Sequence, residues 1–224
     1  MRTAAHRGPA PFTVLVVCTG NICRSPLAEQ LFRARLQHLD LPAEVHSAGT
    51  NALVGHGMTP EASAVAQHHG GAPAIHVARQ LTAELVSTAD LVLTATREHR
   101  SAVVALHPRA ARYSYTLNQF ARLVAPLAEA GAPADNAFGA IAGDDIAGAD
   151  TADSGPARAS VGLRALVAEV AASRGFSPPP ARAAGDDIDD PYRRSEDVYE
   201  RVGVILDEAV TTITTAFAAA ARRG

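Results

Sequence analysis

The 224 residues are 47% hydrophobic and 19% charged, a balance that suits one domain with an elaboration and excludes a chain too polar to fold. A formal net charge of −3 supplies no basic field for nucleic acid and no polybasic membrane tether. Two cysteines cannot build a disulfide framework, and in a reducing compartment such a pair is catalytic, redox-sensing or metal-binding more often than structural.

The apolar run from Phe12 to Val17 is too short for a signal peptide, and it leads straight into a cysteine segment. The same run through Cys18, "FTVLVVC", has the continuous apolar character of a strand buried on both faces. "SPLAEQLFRARLQHLD" follows with Leu27, Ala28, Leu31, Phe32 and Leu39 at helical spacing and Pro26 in a first turn. "AEVHSAGT" reads as a second strand. "TPEASAVAQHHG" reads as a helix capped by Thr59, entered at Pro60 and stopped by Gly70. A short helix in "LTAELVSTAD" feeds the strand "LVLTA". A helix in "TREHRSAVVALHP", ended by Pro108, precedes a fourth strand, "RYSYTL".

Strands alternating with helices predict an α/β fold: a small doubly wound, four-stranded parallel sheet flanked by helices, flavodoxin-like, with a phosphate-binding loop after the first strand. Composition shifts after about Glu129 to an Ala, Gly and Asp-rich stretch without periodicity, which reads as an inserted flexible loop over about 131–157. An extra helix is expected over about 158–175, then the Pro-rich linker "FSPPPARAAG". The last segment places Val198, Val202, Ile205, Ala209 and Ile213 on one face of a long helix capped by Ser195. Residues 1–11 are a tail and 12–224 a single domain. The Ala-rich end, Phe217 to Arg223, is too mildly apolar for membrane insertion, and a cytoplasmic location is expected.

The chemistry concentrates in "VVCTGNICRSP". Cys18 ends a buried strand, and Thr19, Gly20, Asn21, Ile22 and Cys23 must turn sharply into a helix. Gly20 and Asn21 tolerate left-handed backbone, so the loop can curl with its amides inward as an anion nest. The helix N-terminus and the planar fork of Arg24 add positive charge for a tetrahedral oxyanion. That field favours a thiolate at Cys18, and Ser25 can donate to its sulfur. Phosphoryl transfer to sulfur then requires an acid, for which "GDDIDDPY" offers Asp187, Asp189 and Asp190. Asp190 is held before Pro191, with Tyr192 at the cleft mouth. A metal site needs about four ligands. His68, His69, His99 and His107 read as surface residues without metal spacing, so no metal or other cofactor is expected. "GHG" lacks the third glycine of a dinucleotide loop, and no Walker-type lysine loop is present.

"VVCTGNICRSP", "SAGT" (Ser47 to Thr50) and the distant "DPY" (Asp190 to Tyr192) together resemble the low-molecular-weight protein tyrosine phosphatase family, over roughly Phe12 to Phe120 and Asp187 to Phe217. The resemblance implies hydrolysis of phosphotyrosine through a phosphocysteine on Cys18. Arg24 would bind phosphate, Asn21 and Ser25 would hold the loop, and Asp190 would act as general acid, releasing inorganic phosphate. Leu53 and Tyr192 would wall the cleft, Leu53 standing where relatives often carry an aromatic residue and Arg193 where many eukaryotic members have a second one. Ala95 stands where methionine is common. Cys23 is either a partner forming a reversible disulfide with oxidised Cys18 or an inert loop residue. "ALVGHGMTPEA", "HVARQLT" and "DPYRRS" are similar to the bacterial branch, whose substrates include autophosphorylated tyrosine kinases. Two alternatives stay open: arsenate reduction on the same fold, and a phosphate-binding module without catalysis.

Overall fold

A computed structural model describes residues 11–71, 75–131, 155–176 and 185–224. The expected tail, apart from Pro11, and nearly all of the expected insert lie outside the described residues. Four strands form the sheet: β1 (Phe12–Cys18), β2 (Ala43–Gly49), β3 (Leu91–Thr94) and β4 (Ser114–Thr116), all parallel, in the order β2-β1-β3-β4. The fold is therefore the expected flavodoxin-like α/β arrangement. From β1 the chain steps to one neighbour, β2, and then crosses to the other, β3. The carboxyl ends of β1 and β3 thus form a topological switch point, where open α/β sheets leave a crevice.

The sheet is covered on both faces because β1 is apolar on both. Phe12, Val14 and Val16 join one buried cluster, with residues of α1 (Arg24–His38), α2 (Pro60–His68), α5 (Leu117–Gly131), α6 (Pro156–Ser173) and α7 (Glu196–Ala221). Leu15 and Val17 face a smaller cluster with Val86 of α3 (Ala83–Thr88) and Val103 of α4 (Arg97–Leu106). Each fully buried Leu or Phe contributes about 1.5–3 kcal/mol of transfer free energy, so this two-sided burial fixes which residue of β1 ends the strand. Local signals set the helix starts: Thr59 Oγ1 accepts from the Ala62 amide and Thr82 Oγ1 from the Leu85 amide, each at 3.2 Å. Ser195 occupies the cap position of α7 without a side-chain bond, and Glu196 and Asp197 put negative charge in the first turn.

Two features depart from the sequence expectation. α5 fills residues that carried no helix prediction, because Pro126 sits inside it. Leu117, Phe120, Val124 and Ala128 nonetheless form a buried stripe, and the Phe120 ring lies 5.1 Å from Tyr115 and 6.5 Å from Phe217, so packing outweighs the lost hydrogen bond. In α7 the buried face runs through Tyr199, Val202, Leu206, Val210 and Ile213, while Ile205 is exposed. α7 is long and apolar enough to cross a membrane by length and composition. Here it lies against α1, α5 and α6 as the central helix of the larger layer.

α6 meets α7 through a glycine. A Cβ on Gly162 would stand 2.4 Å from the carbonyl oxygen of Ala220. Replacing Gly162 by Val is expected to push the two helices apart and lower unfolding free energy by about 1–3 kcal/mol, read as a lower urea midpoint at unchanged slope.

Candidate active site

At the switch point, β1 delivers Cys18 into a tight turn that ends where α1 begins. Five successive carbonyls of this turn point outward and are all claimed. Cys18 O accepts from the Thr50 amide at 2.9 Å, Thr19 O from Asn51 at 3.0 Å, Gly20 O from Leu53 at 3.0 Å and Ile22 O from Thr59 at 3.0 Å. Asn21 O accepts from His76 Nε2 at 2.6 Å. With the carbonyls held outward, the loop amides line the concave side as an anion nest. Among the described residues, the amides of Thr19 to Cys23 make no other hydrogen bond.

Asn21 holds the curl. Its φ of 56° is left-handed, and its buried amide makes three bonds: Nδ2 donates to Ser25 Oγ at 2.9 Å and Ser47 Oγ at 2.8 Å, and Oδ1 accepts from the Arg79 amide at 2.9 Å. Ser47 in turn donates to the buried Glu29 at 2.5 Å. Gly20, expected to share the left-handed role, has an ordinary backbone, and a Cβ there would meet the side chains of Ile22 at 3.4 Å and Leu53 at 4.0 Å. "SAGT" also finds a physical reason, since a Cβ on Gly49 would lie 2.3 Å from the carbonyl oxygen of Thr19.

The sulfur of Cys18 is 3.0 Å from Ser25 Oγ. That oxygen accepts from Asn21 and keeps its own proton, which it donates to the sulfur when Cys18 is a thiolate. The bond stabilises negative charge there. Arg24 is buried beside it. Its Nη1 donates to Ile188 O at 3.1 Å, and its Nη2 to Asp190 Oδ2 at 2.7 Å and Thr19 Oγ1 at 3.4 Å. Its Nε is buried and has no partner among the described residues.

The segment carrying Asp190 is fastened to the same switch point. Ile188 N donates to Ala95 O at 2.9 Å, just past β3. Asp187 accepts from the amide and guanidinium of Arg97, and Asp186 pairs with Arg122 at 3.1 Å. Asp187 is thereby consumed as an anchor, and Asp189 does not line the cysteine cavity. Asp190 does, in a space of about 180 Å³ together with Cys18, Gly20, Ile22, Arg24, Leu53 and Tyr192. Leu53 and Tyr192, each 40% exposed, form its rim. The Arg193 guanidinium sits 5.1 Å from the Tyr192 ring centroid, so a cation stacks on the rim aromatic. Ala95 is buried.

The two cysteines differ in setting. Burial pushes the Cys23 thiol up despite Thr59 Oγ1 at 3.6 Å and Tyr199 Oη at 3.8 Å, so at neutral pH it is a protonated thiol. His99, expected at the surface, is instead buried against the loop. Its Nε2 lies 2.8 Å from Thr19 Oγ1 and its Nδ1 2.7 Å from Thr96 Oγ1. Burial, then the charge of Arg24, lowers its pKa from 6.5. His76, through its bond to the Asn21 carbonyl, is a second histidine of the loop's surroundings. The signal for His99 lay in its position three residues beyond the Thr96 cap of the helix leaving the switch point. His76 had no local signal, because its partner is 55 residues away.

A sequence profile of the family described as low molecular weight phosphotyrosine protein phosphatase matches residues 13–126. The chain is similar to low molecular weight protein-tyrosine-phosphatase Etp of Escherichia coli, with 45% identity over 96 residues, 43% of this chain and 62% of that protein. It is also similar to the phosphatase Wzb of Salmonella typhi, with 43% identity over 95 residues, 42% of this chain and 61% of that one. The aligned part thus spans less than two thirds of these relatives. Among solved structures, the tyrosine phosphatase AmsI of Erwinia amylovora superposes with a TM-score of 0.58 at 25% identity, covering 90% of each chain. The YwlE arginine phosphatase of Geobacillus stearothermophilus shares the fold, with a TM-score of 0.58 at 24% identity over 91% of each.

Two outcomes are expected. Asn21→Ala removes three buried bonds and leaves a left-handed alanine, so stability should fall by about 2–4 kcal/mol in denaturant unfolding. For His99 the folded pKa lies below the ordinary 6.5, so its contribution is complete above that value and is lost as pH falls below it. The unfolding free energy of His99→Gln should therefore depend less steeply on pH than that of the parent between about pH 6.5 and 5.

Proposed function

The chain belongs to the low molecular weight phosphotyrosine protein phosphatase family, and from that premise we propose that it hydrolyses phosphotyrosine in proteins through a phosphocysteine on Cys18. One observation carries the reading. A sulfur 3.0 Å from the Ser25 hydroxyl, loop amides and an Arg24 Nε that have no partner among the described residues, and the carboxylate of Asp190 converge on one small cavity.

The loop amides and Arg24 hold three oxygens of the phosphate and place phosphorus over Cys18. The thiolate attacks, the bond from phosphorus to the tyrosine oxygen breaks, and Asp190 passes a proton to that oxygen. Substrate oxygens take over the Arg24 fork, which frees Asp190 to face the leaving group. In the second step Asp190 takes a proton from water, water oxygen bonds to phosphorus, and sulfur leaves with the Ser25 hydrogen bond absorbing its charge. Inorganic phosphate is the product. The Leu53 and Tyr192 rim gives an aryl ring an apolar slot. Arsenate reduction would need cysteines that accept oxidising equivalents, and Cys23, the only other one, is buried with a raised pKa. The bacterial-type segments support an autophosphorylated tyrosine kinase as the protein substrate, acting in the cytoplasm.

Purified protein should hydrolyse a phosphotyrosine peptide with a chelator present. Cys18→Ser should abolish turnover. Asp190→Ala should lower kcat by about 10²–10⁴-fold with a smaller change in KM. Undiminished hydrolysis by Cys18→Ser would overturn the proposal.

A further inference from the structure

Away from the cysteine loop, the fold brings two adjacent histidines at the end of α2 against a glutamate near the start of α7, far away in sequence. His68 Nε2 lies 3.8 Å from Glu200 Oε1, and His69 Nε2 lies 3.0 Å from the same oxygen. The three ligand atoms all fall within 4.8 Å of one another. Ligands at about 2.0–2.1 Å from a tetrahedral zinc ion stand about 3.3 Å apart, a spacing that these two distances straddle. We propose that His68, His69 and Glu200 bind a first-row transition-metal cation, zinc by preference, which clamps α2 to α7.

The surroundings of His69 are built for a ligand rather than for a loose surface ion pair. Along α7, Glu200, Gly203 and Asp207 share one face. Glu200 meets Nε2 of the ring, and Asp207 Oδ2 lies 3.5 Å from Nδ1. Nε2 shares a hydrogen bond with Glu200 Oε1 at 3.0 Å; a cation bound there replaces that proton, and the proton then sits on Nδ1 facing the Asp207 carboxylate, which fixes the ring. Asp207 is itself held through its other oxygen by Arg35. Between the two acids, Gly203 lets the imidazole lie flat on the helix: a Cβ there would stand 3.2 Å from His69 Nε2 and 2.3 Å from Val65 Cγ1. The side chain of His69 is consequently only 12% exposed, whereas those of His68 and Glu200 are 73% and 46% exposed. His68 and Glu200 also line a cavity of about 490 Å³ that contains Glu61, Glu196 and Asp197. Its acidic wall attracts a cation and leaves a coordination position open to water.

Two imidazoles with one carboxylate favour zinc over magnesium or calcium, which prefer oxygen alone. The clamp stands apart from the proposed phosphoryl chemistry, so it adds stability rather than a reaction step.

The test is calorimetric titration of chelator-stripped protein with zinc chloride, paired with cobalt(II) absorption. The proposal expects one zinc per chain, a rise in Tm on saturation, and visible cobalt bands without thiolate charge transfer. His68→Ala and Glu200→Gln alter exposed side chains and should keep the native circular dichroism. Each should weaken zinc at least tenfold and reduce the Tm rise, while Cys18→Ser should bind zinc as the parent does. Absence of zinc binding at 100-fold excess, unchanged affinity in both variants, or binding that disappears in Cys18→Ser with a thiolate-to-cobalt band in the parent would each overturn it.

Discussion

A loop can present a row of amides to an anion only if the opposite side of each peptide is satisfied elsewhere. In this protein that requirement governs the layout around β1. The outward carbonyls from Cys18 to Ile22 are met by amides of the segment after β2 and by one imidazole, and Asn21 closes the curl from inside. Without the segment between residues 50 and 59 the carbonyls would be stranded, at roughly 1–3 kcal/mol for each buried unsatisfied group. The cradle is therefore a joint product of two strand ends and cannot form before both are paired.

The acid segment depends on the same assembly. It reaches the cleft from a distant part of the chain, yet its position is set by backbone at Ala95 and by Arg24. Arg24 serves both halves of the site, bonding the loop through Thr19 and the acid segment through Ile188 and Asp190. His99 stands behind Thr19 and links this group to the first turn of α4. Cleft geometry thus rests on three connections after strands of one sheet, the usual way an α/β fold builds a site.

Much of this was legible beforehand, for identifiable reasons. Strand β1 announced itself by continuous apolar character, and α2 by Thr59, Pro60 and Gly70, because those signals act over a few residues. Cys18, Arg24 and Ser25 were legible because loop chemistry is written in consecutive positions. Asp190 needed a second short motif to stand out. What sequence could not disclose depends on distant partners. His99 reads as a surface residue until β3 sets it behind Thr19, and His68 and His69 read as a helix end until α7 supplies Glu200 and Asp207. α5 was hidden by a local rule that packing overrode. The Gly20 expectation was too generous, because one left-handed residue, Asn21, suffices for the turn.

Gly49 sits directly opposite Cys18 in the β1–β2 pairing, at the point where Thr19 passes too close for any side chain. A slip of one residue in that pairing would bring Ala48 or Thr50 against the Thr19 carbonyl and spoil the cradle, besides turning every β2 side chain to the wrong face. Strand register and reactive geometry are consequently one variable. The cysteine loop acts as a proofreader of its own sheet: a chain that pairs its first two strands out of step forfeits the amide ring around Cys18 as well as its core.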